Sequence, residues 1–141
     1  MNTKQKLSPE DFKRRGEGFL PGYLGIEIVS VEPGRVVAQL PIKSHLLAPN
    51  GYLHAGSVIT LADTAAGYGC IASLPDGAAS FTTIETKSNH LGTAREGVIE
   101  CVAALTHGGR TTQVWDVVVS DQANGKTIAL FRCTQMVLYP K

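Results

Sequence analysis

At 141 residues, with 43% hydrophobic and 18% charged residues, the chain has the length and composition of one globular domain with room for a sizeable core. Its 13 basic residues against 12 acidic ones leave a formal net charge of +1, and no basic stripe interleaved with aromatics occurs, so the electrostatic footprint of a nucleic-acid binder is missing. The most apolar stretch is interrupted by Asp63, which argues against a membrane span, and the charged start MNTKQKLSPEDFKRRG has no apolar run of leader length, so the expected location is cytoplasmic.

Ser8 ahead of Pro9, Glu10 and Asp11 predicts a helix start: an N-cap, a proline in the first turn and acids at the positive end of the dipole. That helix is expected to end before Pro21-Gly22, making residues 1–21 a helical extension of a single domain that spans 1–141. The run LGIEIVSVEPGRVVAQLPI reads as a hairpin turning at Glu32-Pro33-Gly34. Ile26 and Ile28, then Val36, Ala38 and Leu40, recur at the two-residue period of a sheet with one buried face. A loop with Pro49 and Asn50-Gly51 follows. From Gly56 to about Leu74 the chain is too long and too unpunctuated for a strand and is apolar or small nearly all round, which marks a buried helix. Gly67 and Gly69 weaken it as a helix and so point to close packing. After Pro75-Asp76-Gly77, strands are expected at about 80–90, 97–107, 110–121 and 127–138. Two strands, one long buried helix and four more strands make an α+β fold, with an antiparallel sheet curled around the helix.

Asp63, in the middle of that helix, needs a reason, because a buried carboxylate must be paired, hydrogen-bonded or neutralised. Gly56, Thr60, Asp63 and Gly67 follow one another at spacings of four, three and four and so share one helix face. Ala65, Ala66 and Gly67 are small and leave space beside the helix, for a ligand or for a neighbouring strand. A structural reading pairs Asp63 with Thr60, a strand hydroxyl or a base across an interface. Cys70, Cys101 and Cys133 are odd in number without CxxC spacing and read as buried thiols. His45, His90 and His107 are scattered, so no metal is expected. Trp115 reads as core or interface.

The segment HAGSVITLADTAAGYG, with Asn50-Gly51 before it and THGGRTTQVWDVVVSD after it, resembles the hotdog-fold acyl-CoA thioesterases of the phenylacetate-degradation type and the related Arthrobacter-type 4-hydroxybenzoyl-CoA thioesterases. The resemblance runs from about residue 22 to the end. It implies a sheet wrapped around one helix, homodimers that commonly pair into homotetramers, an acyl-CoA substrate, and no cofactor beyond the coenzyme A of that substrate. The family carries His-Gly-Gly at the helix start and an acid two turns later; here these are His54-Ala55-Gly56 and Asp63. The amide after the histidine, an oxyanion donor in the family, falls on Ala55, where alanine replaces glycine but keeps the N–H. A polar amide that some members carry falls on Ala48, and Asn50 is the nearby candidate for its role. A strand hydroxyl falls at Thr82 or Thr83, and Gly109-Arg110-Thr111-Thr112 matches a region near coenzyme A.

Thioester hydrolysis needs a donor for the developing oxyanion and a carboxylate that attacks the carbonyl or activates water. Free N–H groups of Ala55 and Gly56 at the helix start suit the first task, and Asp63 suits the second, as nucleophile or general base. Asp63 lies roughly 10 Å along the axis from Gly56, which favours a site shared between antiparallel helices across a two-fold axis. His54 reads as a positioning residue at the helix start, with catalysis as the alternative. Arg110 reads equally as a phosphate partner or a solvated side chain. A non-catalytic acyl-CoA binding domain is the competing function, against which the acid argues. A dehydratase or hydratase ranks last, since its histidine would have to pair with the carboxylate.

Overall fold

Ser8 caps helix α1 (Pro9–Gly16) reciprocally: its hydroxyl accepts the Asp11 N–H, and the Asp11 carboxylate accepts the Ser8 N–H. The structure is a computed structural model that describes residues 7–141; residues 1–6 of the expected extension lie outside it. A second helix, α2 (Leu20–Leu24), stands where Pro21-Gly22 was expected to end helical structure. Pro21 is tolerated because it sits in the first turn, where its missing N–H has no partner to lose. Gly22 is required by contact: a Cβ there would lie 2.4 Å from the Gly16 carbonyl oxygen, so only glycine lets α2 fold back on α1.

Strands β1 (Glu27–Glu32), β2 (Arg35–Pro41), β3 (Ser80–His90), β4 (Val98–Gly108), β5 (Thr112–Asp121) and β6 (Thr127–Leu138) form one antiparallel sheet in the order β1-β2-β4-β5-β6-β3. The β1–β2 hairpin and all four later strands fall within two residues of their expected positions. Helix α3 (Ala55–Ala72) lies across the concave face and touches all six strands. This is the hotdog arrangement that the resemblance implies.

The core sits between helix and sheet. Leu61, Ala62, Ala65 and Ala66 of α3 are fully buried against Val36, Ala38, Leu40, Ile99, Trp115 and Val117. Burial of a side chain such as Leu61 is worth about 1.5–3 kcal/mol, which offsets the low helix propensity of a segment with two internal glycines. Gly69 is where Trp115 needs room: a Cβ there would come within 2.5 Å of the indole. Trp115 is core, and the three cysteines are buried and free. At the far end of the sheet β3 has one strand partner among the described residues, β6, and most of its residues are exposed, Ile84 included.

Candidate active site

His54 is the N-cap of α3. Its Nδ1 accepts the Gly56 N–H at 2.7 Å, and its carbonyl takes the N–H of Ser57 at 2.9 Å. The expectation of two free amides is therefore corrected: Gly56 is committed to the histidine ring, and the Ala55 N–H, at the positive end of the dipole, has no partner among the described residues. The His54 ring thus accepts from its own helix.

Two turns on, Asp63 faces a cavity of about 190 Å³. Its wall includes Gly67, Thr64 and Ile71 of α3, Phe81 and Thr83 of β3, and Pro21 of α2. Asp63 Oδ1 is buried without a hydrogen-bond partner among the described residues. Two of the partners offered by the structural reading, Thr60 and a strand hydroxyl, are engaged elsewhere in the chain. Thr60 donates its hydroxyl proton to the Gly56 carbonyl at 2.8 Å, and Thr83 donates its own to Gln135 Oε1 at 2.6 Å. Burial pushes the Asp63 carboxyl above the ordinary aspartate value, with no cation to offset it. The neighbouring Cys133 thiol is pushed up to about 12, first by burial and then by the Asp63 charge, so it stays neutral.

Of the expected site residues, the structure brings Asp63, Gly67 and Thr83 together in one cavity wall. Thr82, its neighbour, lies outside the cavity wall. Gly67 opens the space: a Cβ there would meet the Phe81 ring at 3.2 Å. Asn50 is not part of this wall. Its Oδ1 accepts the Tyr52 N–H at 3.1 Å, an Asx turn that shapes the loop before α3.

Arg110 and Thr111 lie in the β4–β5 turn, and Thr112 opens β5. There the Arg110 guanidinium lies 5.4 Å from the Tyr139 ring centroid, and the Tyr139 hydroxyl donates to the Arg110 carbonyl. The Thr111 carbonyl accepts the Val137 N–H and the Thr112 carbonyl accepts the Gly109 N–H, both at 2.8 Å. This turn sits at the C-terminal end of α3, where Gln113 Nε2 donates to the Ser73 carbonyl. The Ala55 amide is at the other end of a helix of 18 residues, about 27 Å long. Asp63 lies eight residues on from Ala55, about 12 Å along the axis of the same helix.

Sequence reasoning missed Pro21, Tyr68, Ile71 and Phe81 around the acid. Ile71 was within reach, since Asp63, Gly67 and Ile71 continue one stripe at intervals of four. Pro21 and Phe81 arrive through tertiary contact and carry no local signal.

Residues 50–128, more than half of the chain, match the family model described as the Thioesterase superfamily. The chain belongs to that family. Thioester hydrolysis is accordingly its reaction class. A 1,4-dihydroxy-2-naphthoyl-CoA hydrolase of Listeria monocytogenes is 38% identical over 111 residues, covering 79% of this chain and 89% of that one. The acyl-coenzyme A thioesterase PaaI of Escherichia coli is 32% identical over 110 residues, 77% of this chain and 75% of its own. Among solved structures, a mutant of thioesterase PA1618 from Pseudomonas aeruginosa superposes with a TM-score of 0.89 at 28% identity and covers 96% of both chains. The resemblance to the PaaI-like thioesterases is borne out.

Proposed function

We propose that this thioesterase, a single domain over residues 1–141, hydrolyses an aromatic acyl-CoA, in the cytoplasm and without a metal or added cofactor, at a site completed by a second copy of the chain. The observation that carries this reading is Asp63: a carboxylate with a buried, unpartnered oxygen, raised in pKa by burial alone, facing a cavity walled by Phe81 and Tyr68. A structural acid would be expected to find a partner; a general base is improved by the same desolvation. The aromatic acyl group is supported by those two rings and by the bicyclic substrate in the name of the Listeria relative.

In the proposed reaction Asp63 takes a proton from water as the water oxygen attacks the thioester carbonyl. The oxyanion receives the Ala55 N–H of the other subunit, supported by the α3 dipole. Collapse breaks the C–S bond, and the departing thiolate takes the proton, giving free acid and coenzyme A. The two-fold arrangement is supported by the separation of Ala55 from Asp63 and by the unpaired 11-residue edge of β3, which a soluble monomer would be expected to protect. Arg110 and Thr111 form an exposed turn, with the half-buried Thr112 beside it, suited to the phosphates of coenzyme A, and homotetramers follow if two such dimers pair.

Free-thiol release from aromatic, short-chain and medium-chain acyl-CoAs, by the native protein and by Asp63→Asn, tests this. The expected result is fastest turnover of an aromatic thioester and a loss of about 10² or more in the variant. Binding without turnover would instead mark an acyl-CoA binding domain. Single turnover in oxygen-18 water bears on the role of Asp63: a general base leaves no label in the protein, whereas label in the Asp63 carboxylate would mark a nucleophile whose anhydride water opens at the aspartyl carbonyl.

A further inference from the structure

Behind the Asp63 cavity lies a row of polar side chains that the reaction, as described so far, does not use. Thr83 of β3 stands opposite Gln135 of β6, which stands opposite Gln113 of β5. Gln113 and Gln135 are, with Ser57, the buried polar residues of the chain's described part, at 1% and 0% exposure. Gln113 has an evident structural task. Its Oε1 accepts the Trp115 indole N–H at 2.8 Å, and its Nε2 donates to the Ser73 carbonyl at the end of α3.

Gln135 has no comparable task. Its Nε2 meets only the Cys133 sulfur, a weak acceptor, at 3.5 Å, and its one strong bond is the 2.6 Å contact from the Thr83 hydroxyl to Oε1. A fully buried carboxamide held by one good hydrogen bond and one poor one is costly, and an apolar side chain of the same shape would serve packing better. The good bond ends on the threonine that shares a cavity wall with Asp63.

A hydroxyl has one proton and two lone pairs. With its proton committed to Gln135, Thr83 offers the cavity lone pairs only, so there it can accept but not donate. A water bridging two acceptors, the Asp63 carboxylate and Thr83 Oγ1, has both protons engaged and turns a lone pair to the substrate. We propose that Gln135 is a positioning residue for the hydrolytic water: it fixes the Thr83 hydroxyl as an acceptor, and Thr83 then orients the water that Asp63 deprotonates. This rests on the functional reading given above and adds the buried amide to it.

The test is a double-mutant cycle on the full-length protein with an aromatic acyl-CoA, comparing Gln135→Met, Thr83→Val, the double variant and Thr83→Ser, with Asp63→Asn alongside. Gln135→Met keeps length and volume but replaces the amide oxygen by a thioether sulfur, a weak acceptor. It is expected to lower kcat about tenfold, the scale of one hydrogen bond, with KM unchanged, and to cost nothing further on the Thr83→Val background. Thr83→Ser, which retains the hydroxyl, is expected to stay within about twofold of the native rate. Should Gln135→Met fail to fold, Gln135→Asn, too short by one methylene to reach Thr83, carries the same comparison. Losses that multiply in the double variant, or no loss in kcat, overturn the proposal. If Asp63→Asn turns over as fast as the native protein, the functional reading falls and takes this proposal with it; if Asp63→Asn is inactive and the losses multiply, the positioning role alone is wrong.

Discussion

His54 Nδ1 accepts the N–H of Gly56 at 2.7 Å, and this single hydrogen bond divides the amides at the start of α3 into one that is spent and one, on Ala55, that has no partner among the described residues. His54→Ala removes the cap. The expected cost is about 0.5–2 kcal/mol of stability, as for other N-caps, measured by denaturant unfolding. Activity should fall less than in Asp63→Asn, because the Ala55 amide remains. A loss of activity as deep as that of Asp63→Asn would give the imidazole a chemical role.

Asp63 is expected to cost stability as well as confer activity. Its folded pKa is raised from 3.8 by burial, so the folded state holds this proton more tightly than the unfolded chain does. The stability tied to that proton is fully present below 3.8 and is lost as pH rises through the folded value. At neutral pH, Asp63→Asn should therefore raise Tm while abolishing turnover, and the gain in Tm should vanish below about pH 4. The rate, which needs the ionised base, should fall on the acid side at a pH above the ordinary aspartate value. Equal Tm in both proteins across the pH range would mean that the burial is relieved by a partner.

The two glycines that flank Tyr68 should behave oppositely. Gly69→Ala places a methyl within 2.5 Å of the Trp115 ring in the closed core and is expected to destabilise by about 1–3 kcal/mol. Gly67→Ala faces the end of the Phe81 ring at 3.2 Å, at the edge of the cavity, and should leave Tm nearly unchanged or higher while raising KM for bulky acyl groups. Calorimetry and steady-state kinetics on the pair check both.

The fold was legible because its signals are local. Ser8 with Asp11, the alternation of Val36, Ala38 and Leu40, and the unbroken run after Gly56 each name their element without help from the rest of the chain. The α2 helix was not, because Pro21-Gly22 has the composition of a break and becomes helical only where Gly16 lets it pack. At the site, Asp63 and Gly67 were legible from helical spacing. Gln135 was not: in a strand of alternating residues nothing distinguishes an inward glutamine from an outward one until the register with Thr83 is known.

The claim that the site is shared between two chains is tested most directly by subunit complementation. Ala55 is the first residue of α3 and follows an extended His54, a position where proline is well accommodated, so Ala55→Pro removes the N–H with little effect on the helix. Alone, Ala55→Pro and Asp63→Asn should each lose about 10² or more in kcat. Unfolded together and refolded as a mixture, they should recover about one quarter of native activity, since half the dimers are mixed and each mixed dimer holds one intact site. Activity no greater than the sum of the two variants would contradict a shared site and place acid and donor in one chain.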